Sequence, residues 1–468
     1  MTFFAHHIQN QTNTIKGGLY GLLLGDAVGR SFEFKSAEQI PPFLQIDMAV
    51  FPPNFRQTYP DVPIGTWTDD GSQTLALLHS LTQNNCIDIR DFAGRLCNWL
   101  YEGQYTPDGI VFDCGIQTSQ ALDRIRYHGT SVEDAAGRDE YANGNGALMR
   151  VLPIALWHKG SDEEMVRMAI QQGIPTHGHI RSGIVCAFYC LTARRLIQNR
   201  LHYQPDYVLI DLQNCLSPIE RQELELILNA PQRKNPQGTG YVVDAFWSAI
   251  HALESQNNFA DVIRSAIAFG NDTDTTAAIA GGLAGLKYGF DDLPEEWIVH
   301  LRGKEIVEEL FAPLESRIRE QIAEEISLLL EFRSFAEEYR RTAFCNSPFS
   351  KSGTMAQGLR RIIEITQRPF WKNRLYHEYF PQKFFCNSND DAGGYEEIAI
   401  TQLEQITAYI TFINRCDHFT ATPIFDSSFD DQDGNSLSTE WHSVIMAGRF
   451  EIILGILSNE LKSLEKPH

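Results

Sequence analysis

"FGNDTDTTAAIAGGLAGLKYG" (residues 269–289) begins with polar residues and continues as a nearly uncharged run of Ala, Gly and Leu. Such a run is typical of a helix that packs deep in a protein, with glycine where another backbone approaches closely. Asp272 and Asp274 stand directly before it. Helix capping explains one carboxylate at this position. The second carboxylate needs another partner inside the protein.

A second stretch, "GTWTDDGSQTLALLHSL" (residues 65–81), places Thr68, Asp69 and Asp70 before another apolar helical pattern. Capping would account for either cluster alone, but two clusters offer four carboxylates and, with Thr275, two hydroxyl groups. Carboxylate and hydroxyl oxygens are the ligands that hard divalent cations such as Mg²⁺ or Mn²⁺ select. If the clusters face each other, their repulsion would force some carboxylates to protonate, and two divalent cations would relieve it.

Three further acids are candidates for the same site. Glu33 follows the glycine-striped helical pattern "IKGGLYGLLLGDAVG" (residues 15–29), at an end that normally favours cations. Asp26, inside that pattern, is equally compatible with a buried hydrogen-bonding residue. Asp113, in "FDCGIQTSQAL", is a good helix N-cap candidate and could equally line the site.

The asparagine–glycine loop, residues 143–147, lies in "YANGNGALMRVLPIAL". Its Asn and Gly residues tolerate positive φ and let a backbone approach a ligand closely. Exposed N–H groups in such a turn form an anion-binding nest, which predicts a phosphate or diphosphate ligand, although the pattern alone is equally an ordinary loop. His177 and His179, in "PTHGHIRSG", are compatible with a cap, a surface pair or a ligand contact.

Length and periodicity predict the architecture. A chain of 468 residues exceeds the ~250–300 at which single cores stop growing, which favours one large domain with an appendage. Residues 15–304 have mostly helical patterns, and alternating β-branched runs are scarce, with "YVVDAF" the ambiguous case. The sequence therefore predicts an all-α, orthogonal helical bundle, followed by a C-terminal helical extension of residues 305–468.

Composition excludes some functions. The formal net charge of −21 gives no support to binding of nucleic acid or an anionic membrane. No signal-peptide pattern and no uncharged membrane-spanning run is present in the sequence. The nine cysteines are scattered and form no C-x-x-C pair, so we expect reduced thiols and a cytoplasmic protein.

Seven stretches, in order over about residues 15–290, resemble the ADP-ribosylglycohydrolase family. They are "GLLLGDAVGRSFE", "GTWTDDGSQTLAL", "DCGIQTSQAL", "NGNGALMRVLPIA", "THGH", "GTGYVVDAFWSAI" and "GNDTDTTAAIAGGLAGLKYG". The resemblance implies an all-α fold with a dinuclear Mg²⁺ or Mn²⁺ centre. The metal ligands that it implies are Thr68, Asp69, Asp70, Asp272, Asp274 and Thr275. The resemblance places Glu33 near the metals and the scissile bond, and Asp113 near the substrate ribose. The residues that it implies around the ADP-ribose are Asn143, Gly144, Asn145, Gly146, Ala147, His177 and Tyr241.

The function implied by this resemblance is hydrolysis of the N- or O-glycosidic bond of ADP-ribose attached to a protein side chain or a small conjugate. Two alternatives remain open: a non-catalytic, crystallin-like protein that binds ADP-ribose, and a two-carboxylate glycosidase without metals. The sequence leaves undecided the linkage, the choice between Mg²⁺ and Mn²⁺, and which of Glu33 and Asp113 transfers the proton. It also leaves open the role of the C-terminal extension and the oligomeric state.

Overall fold

A computed structural model describes residues 2–198 and 205–320 of the chain. The chain divides into two compact units, Ile8–Arg319 and Met1–His7 with Glu320–His468. The site lies in the first unit. The predicted C-terminal helical extension lies outside the described residues from residue 321 onward, so it stays a prediction there.

The described residues form helices joined by irregular loops, and β-structure among them is limited to isolated bridges such as Gly144–Tyr241. The all-α prediction is confirmed. The ambiguous "YVVDAF" stretch forms the beginning of a helix rather than a strand. The helices are α1 (Thr2–Gly29), α2 (Asp69–Asn84), α3 (Ile89–Glu102), α4 (Ile116–His128), α5 (Leu152–Trp157), α6 (Asp162–Gln171), α7 (Ile180–Gln198), α8 (Pro205–Cys215), α9 (Pro218–Leu228), α10 (Val242–Ser255), α11 (Phe259–Ile267), α12 (Thr273–Tyr288), α13 (Glu295–His300) and α14 (residues 304–320).

Capping side chains determine where several helices begin. At α6 the Ser161 hydroxyl accepts the Glu164 N–H at 3.2 Å, and the Glu164 carboxylate accepts the Ser161 N–H at 2.8 Å. At α3 the Asp88 carboxylate accepts the N–H groups of Arg90 and Asp91 at 3.0 and 3.1 Å. These side chains satisfy N–H groups that have no partner within the helix, so the local sequence sets the helix ends.

Helix α12 is buried from its first residue to Leu286, and α1 crosses it in direct backbone contact. A Cβ atom on Gly25 would lie 2.0 Å from the Ala277 carbonyl oxygen, and one on Gly21 would lie 2.3 Å from that of Gly281. Only glycine permits so close an approach. The predicted role of the glycine stripe is confirmed.

This crossing brings the end of α1 to the beginning of α12. The Thr273 hydroxyl donates a hydrogen bond to the Gly29 carbonyl oxygen at 2.7 Å. Beyond the helices, the Phe34 N–H donates to the Asn271 carbonyl oxygen at 2.7 Å. Glu33, which follows α1, is thereby held beside the aspartates that precede and begin α12.

Helix α14 packs on the same unit, through Val307, Phe311, Leu314 and other buried apolar side chains. Its Glu308 carboxylate accepts a hydrogen bond from the hydroxyl of Tyr20 in α1 at 2.6 Å. The first unit therefore extends past the predicted boundary at residue 304. Within residues 2–198 and 205–320, no helix is long and apolar enough to cross a membrane.

Candidate functional site

The first acidic cluster lies at the beginning of α2 and is buried. Thr68 is the N-cap, and its hydroxyl accepts the Asp70 N–H at 3.4 Å and donates to Asp70 Oδ2 at 3.1 Å. Asp69 Oδ2 accepts a hydrogen bond from the Gln73 amide at 3.3 Å. The hydroxyl thus supplies the cap, and neither carboxylate of α2 is needed for capping.

Asp26 holds this cluster in place from α1. Its carboxylate accepts the Thr68 N–H at 2.9 and 3.0 Å and the Gly71 N–H at 2.8 Å. Burial raises the pKa of Asp26 to about 7, although the two N–H donors lower it. Of the two roles left open for Asp26, the structure supports the buried hydrogen-bonding residue.

The second cluster lies at the beginning of α12. Asp272 is the N-cap residue but makes no capping hydrogen bond with its side chain. Its Oδ2 instead accepts a hydrogen bond from the Asn145 amide at 2.8 Å. Asp274 Oδ1 accepts the Thr275 N–H at 2.9 Å. Asp272 therefore does not cap α12, whereas Asp274 accepts an N–H group of the first turn of the helix.

The two clusters meet. The Thr275 hydroxyl lies 3.4 Å from Asp70 Oδ2, to which it donates a hydrogen bond across the gap between α12 and α2. Glu33, Asp272 and Asp274 each offer one carboxylate oxygen, and these three atoms lie within 4.8 Å of one another. The fold thus gathers acids from α2, α12 and the segment after α1 at one point.

This concentration of acids changes their protonation. Burial raises the pKa of Glu33 to about 9, and neighbouring carboxylates, Asp113 foremost, add to the rise. Burial also raises the pKa values of Asp69, Asp70 and Asp274, and nearby carboxylates raise them further. Without compensating cations the site must therefore hold protons at neutral pH, and bound cations would release them.

The residues present fit divalent cations. Asp70 Oδ1 and Glu33 Oε2 are buried and have no hydrogen-bond partner among the described residues. Buried polar atoms are rarely left without a partner, so these oxygens are available to a ligand. The donors are all oxygen atoms, a set that suits Mg²⁺ or Mn²⁺ better than softer metals.

A buried cation, Arg30, lies beside the acids and was not anticipated from the sequence. Its Nη1 donates to the carbonyl oxygens of Tyr59 at 3.3 Å and Val62 at 3.2 Å. Burial lowers the pKa of Arg30, and the negative charges of Asp26 and Asp274 oppose this. Arg30 therefore offsets part of the carboxylate repulsion, and no local pattern could have indicated it because its partners come from a distant loop.

Asp113 lies at the site and does not cap α4. Gly115 is the N-cap of that helix and makes no side-chain capping bond, so of the two roles left open for Asp113 the structure does not support the cap. Tyr59 lies near both acids, Glu33 and Asp113, and its side chain partly counteracts the rise of their pKa values. Tyr59 has a φ of 53°, in a left-handed region that is strained for a large side chain and often marks a functional site.

The asparagine–glycine loop lies next to Asp272, because the Asn145 amide donates to that carboxylate. Gly144 and Gly146 have negative φ, so the expectation that glycine is needed here for a positive φ angle is wrong. Space explains Gly146 instead, because a Cβ there would lie 2.8 Å from Cε1 of His177; at Gly144 the nearest atoms, Gln117 Oε1 and His177 Nε2, would lie at 3.3 and 3.4 Å.

The two ends of the loop are buried anchors. The Asn143 amide donates to the Glu140 carbonyl oxygen at 2.8 Å. The Ala147 carbonyl oxygen accepts from the Gln172 amide at 2.9 Å. The loop is therefore held at both ends.

His177 and His179 have different tasks. His177 is buried with its ring against the loop glycines. His179 Nδ1 accepts the Arg181 N–H at 3.2 Å at the beginning of α7, so it acts as a cap. Tyr241 pairs with Gly144 through an isolated bridge, and its hydroxyl accepts from Arg181 at 3.2 Å. His177 and Tyr241 thus adjoin the loop.

The chain is similar to known proteins in sequence and in overall fold. The sequence model of the ADP-ribosylglycohydrolase family matches residues 8–328. A solved structure titled "ADP-ribosylglycohydrolase-related protein complex" is similar in fold, with a TM-score of 0.52 and 26% sequence identity, and the match covers 66% of this chain and 99% of that one.

Two relatives are similar in sequence. The ADP-ribosylarginine hydrolase Tri1 of Pseudomonas putida (strain GB-1) is 30% identical over 311 residues, which cover 64% of this chain and 78% of the relative. The ADP-ribosyl-[dinitrogen reductase] glycohydrolase of Rhodospirillum rubrum is 27% identical over 290 residues, which cover 61% of this chain and 89% of the relative.

Proposed function

The chain belongs to the ADP-ribosylglycohydrolase family and hydrolyses glycosidic bonds of ADP-ribose, and from this premise we propose that it releases ADP-ribose from modified arginine side chains with the help of two divalent cations. The observation that carries the proposal is the meeting of the two hydroxyl–acid clusters, shown by the hydrogen bond from Thr275 to Asp70. The asparagine–glycine loop lies beside them through Asn145 and Asp272. A site for cations thus adjoins a site for the nucleotide.

The proposed cation ligands come from both clusters. Bound there, two Mg²⁺ or Mn²⁺ ions would supply Lewis-acid stabilisation of the ribose hydroxyls and a lowered pKa for the attacking water. The buried oxygens of Asp70 and Glu33 that lack protein partners support this assignment. The ligands in the proposal are Thr68, Asp69, Asp70, Asp272, Asp274 and Thr275.

Glu33 and Asp113 are the acids proposed to move protons. Glu33 stands among the candidate cation ligands, so it is placed to take the proton of the water. Asp113 lies close enough to raise the pKa of Glu33 by charge repulsion, so it adjoins the same point of the site. Such a positioned acid or base typically contributes 10²–10⁴-fold in rate.

The nucleotide part of the substrate is proposed to lie on the asparagine–glycine loop. The Asn145 N–H already donates to the Gly240 carbonyl oxygen at 3.0 Å. The diphosphate would therefore be bound by other N–H groups of the loop, with His177 and Tyr241 beside it. The ring of His177 takes the space that a side chain at Gly146 would need.

An arginine linkage is supported by two arguments. Relatives at 29% and 30% identity are named ADP-ribosylarginine hydrolases. In addition, the acids Glu33 and Asp113 would complement the positive charge of a guanidinium leaving group, which a serine linkage lacks. The substrate class is thus an ADP-ribosylated protein or a small ADP-ribose conjugate. Free cysteines throughout the described ranges fit a cytoplasmic location.

The experiment measures ADP-ribose release from ADP-ribosylarginine and ADP-ribosylserine proteins, with Mg²⁺, with Mn²⁺ and with a chelator. We expect release from the arginine conjugate that depends on the cation. Turnover that survives the chelator would instead support a two-carboxylate glycosidase. Binding of ADP-ribose without turnover of any conjugate would support a non-catalytic, crystallin-like protein, a reading that the hydrolase names of the relatives do not favour.

A further inference from the structure

Arg150, just beyond the asparagine–glycine loop, is fully buried at the centre of a polar network. Its Nη1 donates to the Gln73 side-chain oxygen at 2.6 Å, and its Nε donates to that of Gln172 at 3.1 Å. Its Nη2 donates to the Thr176 hydroxyl at 2.7 Å. Burial lowers the pKa of Arg150 to about 10, so the guanidinium is charged at neutral pH.

One branch of this network determines where the proton of His177 lies. A guanidinium can only donate, so the Thr176 hydroxyl accepts from Arg150. The Thr176 hydroxyl is fully buried and also lies 2.8 Å from Nδ1 of His177, the partner to which it can give its own proton. Nδ1 is then an acceptor, and the ring carries its proton on Nε2.

That Nε2–H group faces the asparagine–glycine loop. A Cβ on Gly146 would lie 3.1 Å from His177 Nε2, and one on Gly144 would lie 3.4 Å from it. Within residues 2–198 and 205–320, no protein group accepts a hydrogen bond from Nε2. Burial and the charge of Arg150 lower the pKa of His177 to about 3, so the ring is a neutral donor.

The other branch reaches the candidate metal ligands. The Gln73 side-chain oxygen is occupied by Arg150, so its amide NH₂ is the end that faces Asp69. That NH₂ donates to Asp69 Oδ2 at 3.3 Å. The guanidinium of Arg150 therefore contacts, through one intervening side chain each, the His177 ring beside the loop and the Asp69 carboxylate among the candidate metal ligands.

We propose that Arg150 is a positioning residue that acts on both halves of the site. Through Thr176 it fixes His177 as an Nε2–H donor to an oxygen of the bound nucleotide, and through Gln73 it orients the Asp69 carboxylate. The identity of the nucleotide as ADP-ribose rests on the proposed function, whereas the tautomer of His177 does not.

The test compares Thr176→Val with Thr176→Ser in the full chain. Valine keeps the shape of threonine but removes the hydroxyl, and serine keeps the hydroxyl. Thr192→Val is the matched control, because Thr192 is fully buried and its hydroxyl has no partner among the described residues. The tautomer is measured from the ¹⁵N shifts of labelled His177, assigned with His177→Gln, and ADP-ribose affinity is measured by calorimetry.

We expect the wild type, Thr176→Ser and Thr192→Val to show His177 protonated on Nε2. Thr176→Val should populate the Nδ1–H form, weaken ADP-ribose binding about tenfold, and raise KM more than it lowers kcat. A wild-type ring protonated on Nδ1, or a Thr176→Val variant with unchanged tautomer and affinity, would overturn the proposal. Because neither readout requires turnover, lack of hydrolysis by the wild type would count against the proposed function alone.

Discussion

At the scale of single residues, the acids at the beginnings of α2 and α12 lie in the same buried cluster but differ in their hydrogen bonds. Asp272 accepts a hydrogen bond from the Asn145 amide, whereas Asp70 keeps one buried oxygen without a partner among the described residues. Helix capping, the ordinary use of such residues, is performed at α2 by the Thr68 hydroxyl. Their surplus negative charge is thus better explained by cations than by local helix chemistry.

Asp272→Asn tests this explanation. The amide oxygen of Asn can still accept the hydrogen bond from Asn145, so we expect the fold to persist while the charge is lost. Metal stoichiometry, measured by calorimetry, should fall, and kcat/KM should fall at least about 100-fold, or about 2.7 kcal/mol. Asp261→Asn on α11 is the control. Unchanged stoichiometry in Asp272→Asn would contradict the ligand assignment.

The raised pKa values also predict how stability depends on pH. The pKa of Glu33 is about 9 in the folded, metal-free protein instead of its ordinary 4.5. Between these two pH values the folded state therefore binds more protons than the unfolded state. The stability contributed by the protonated carboxyl is therefore complete below the unfolded pKa and is lost as pH rises toward 9.

Thermal unfolding of the metal-free protein should show this loss as a Tm that falls by roughly 5 °C or more between pH 5 and pH 9. Saturating Mg²⁺ or Mn²⁺ should flatten the dependence, because cations favour the ionised carboxylates. A Tm that rises with pH in the metal-free protein would contradict the proposed protonation.

Some residues of the site could be predicted from sequence and others could not. Hydroxyl–acid clusters at helix beginnings are local patterns, so Asp69 and Asp274 were found without coordinates. Arg30, Tyr59 and Arg150 were missed because their roles depend on partners that only tertiary packing brings near, such as the Val62 carbonyl oxygen of Arg30.

At the scale of helices, the contact between α1 and α12 determines whether the two clusters can meet. Glycine-rich patterns in both helices predicted close packing, since glycine is otherwise unfavourable in a helix. The sequence could not specify which residues touch, because the crossing point depends on the other helices around it. The expectation of positive φ in the asparagine–glycine loop failed for a similar reason: at Gly146 the His177 ring, not the backbone angle, requires glycine.

Gly25→Ala should disrupt this crossing. The added Cβ would lie 2.0 Å from the Ala277 carbonyl oxygen, a backbone atom that cannot move without shifting α12. We expect a loss of roughly 3 kcal/mol in the free energy of unfolding, with reduced metal affinity.

The matched control is Gly94→Ala on the exposed side of α3, where a Cβ would meet nothing within 4 Å. This change should stabilise the protein by about 0.5–1 kcal/mol, because alanine favours a helix more than glycine does. Denaturant unfolding compares the two variants. Equal effects on stability would show that the α1–α12 contact is not the reason for the glycine.

At the scale of the whole molecule, α14 decides where the first unit ends. Its buried side chains include Val307, Phe311 and Leu314, and each fully buried apolar side chain contributes about 1.5–3 kcal/mol. A chain that ends at residue 304 should therefore unfold readily or precipitate. One that ends at residue 328, where the family match ends, should fold and hydrolyse ADP-ribosyl bonds.

Thermal unfolding and turnover of the two shortened chains check this expectation against the full chain. A stable, active chain ending at residue 304 would show that α14 is dispensable. Loss of activity in the chain ending at residue 328, with its fold intact, would assign a catalytic contribution to the residues that follow.

The hydrogen bond from Asn145 to Asp272 has a thermodynamic consequence. It makes one carboxylate a member of both the proposed cation site and the loop proposed to hold the nucleotide. Cations that order this carboxylate would therefore also order the loop that binds the nucleotide. Thermodynamic linkage requires this coupling between cation binding and nucleotide binding to be reciprocal. The factor by which cations tighten ADP-ribose binding must equal the factor by which ADP-ribose tightens cation binding.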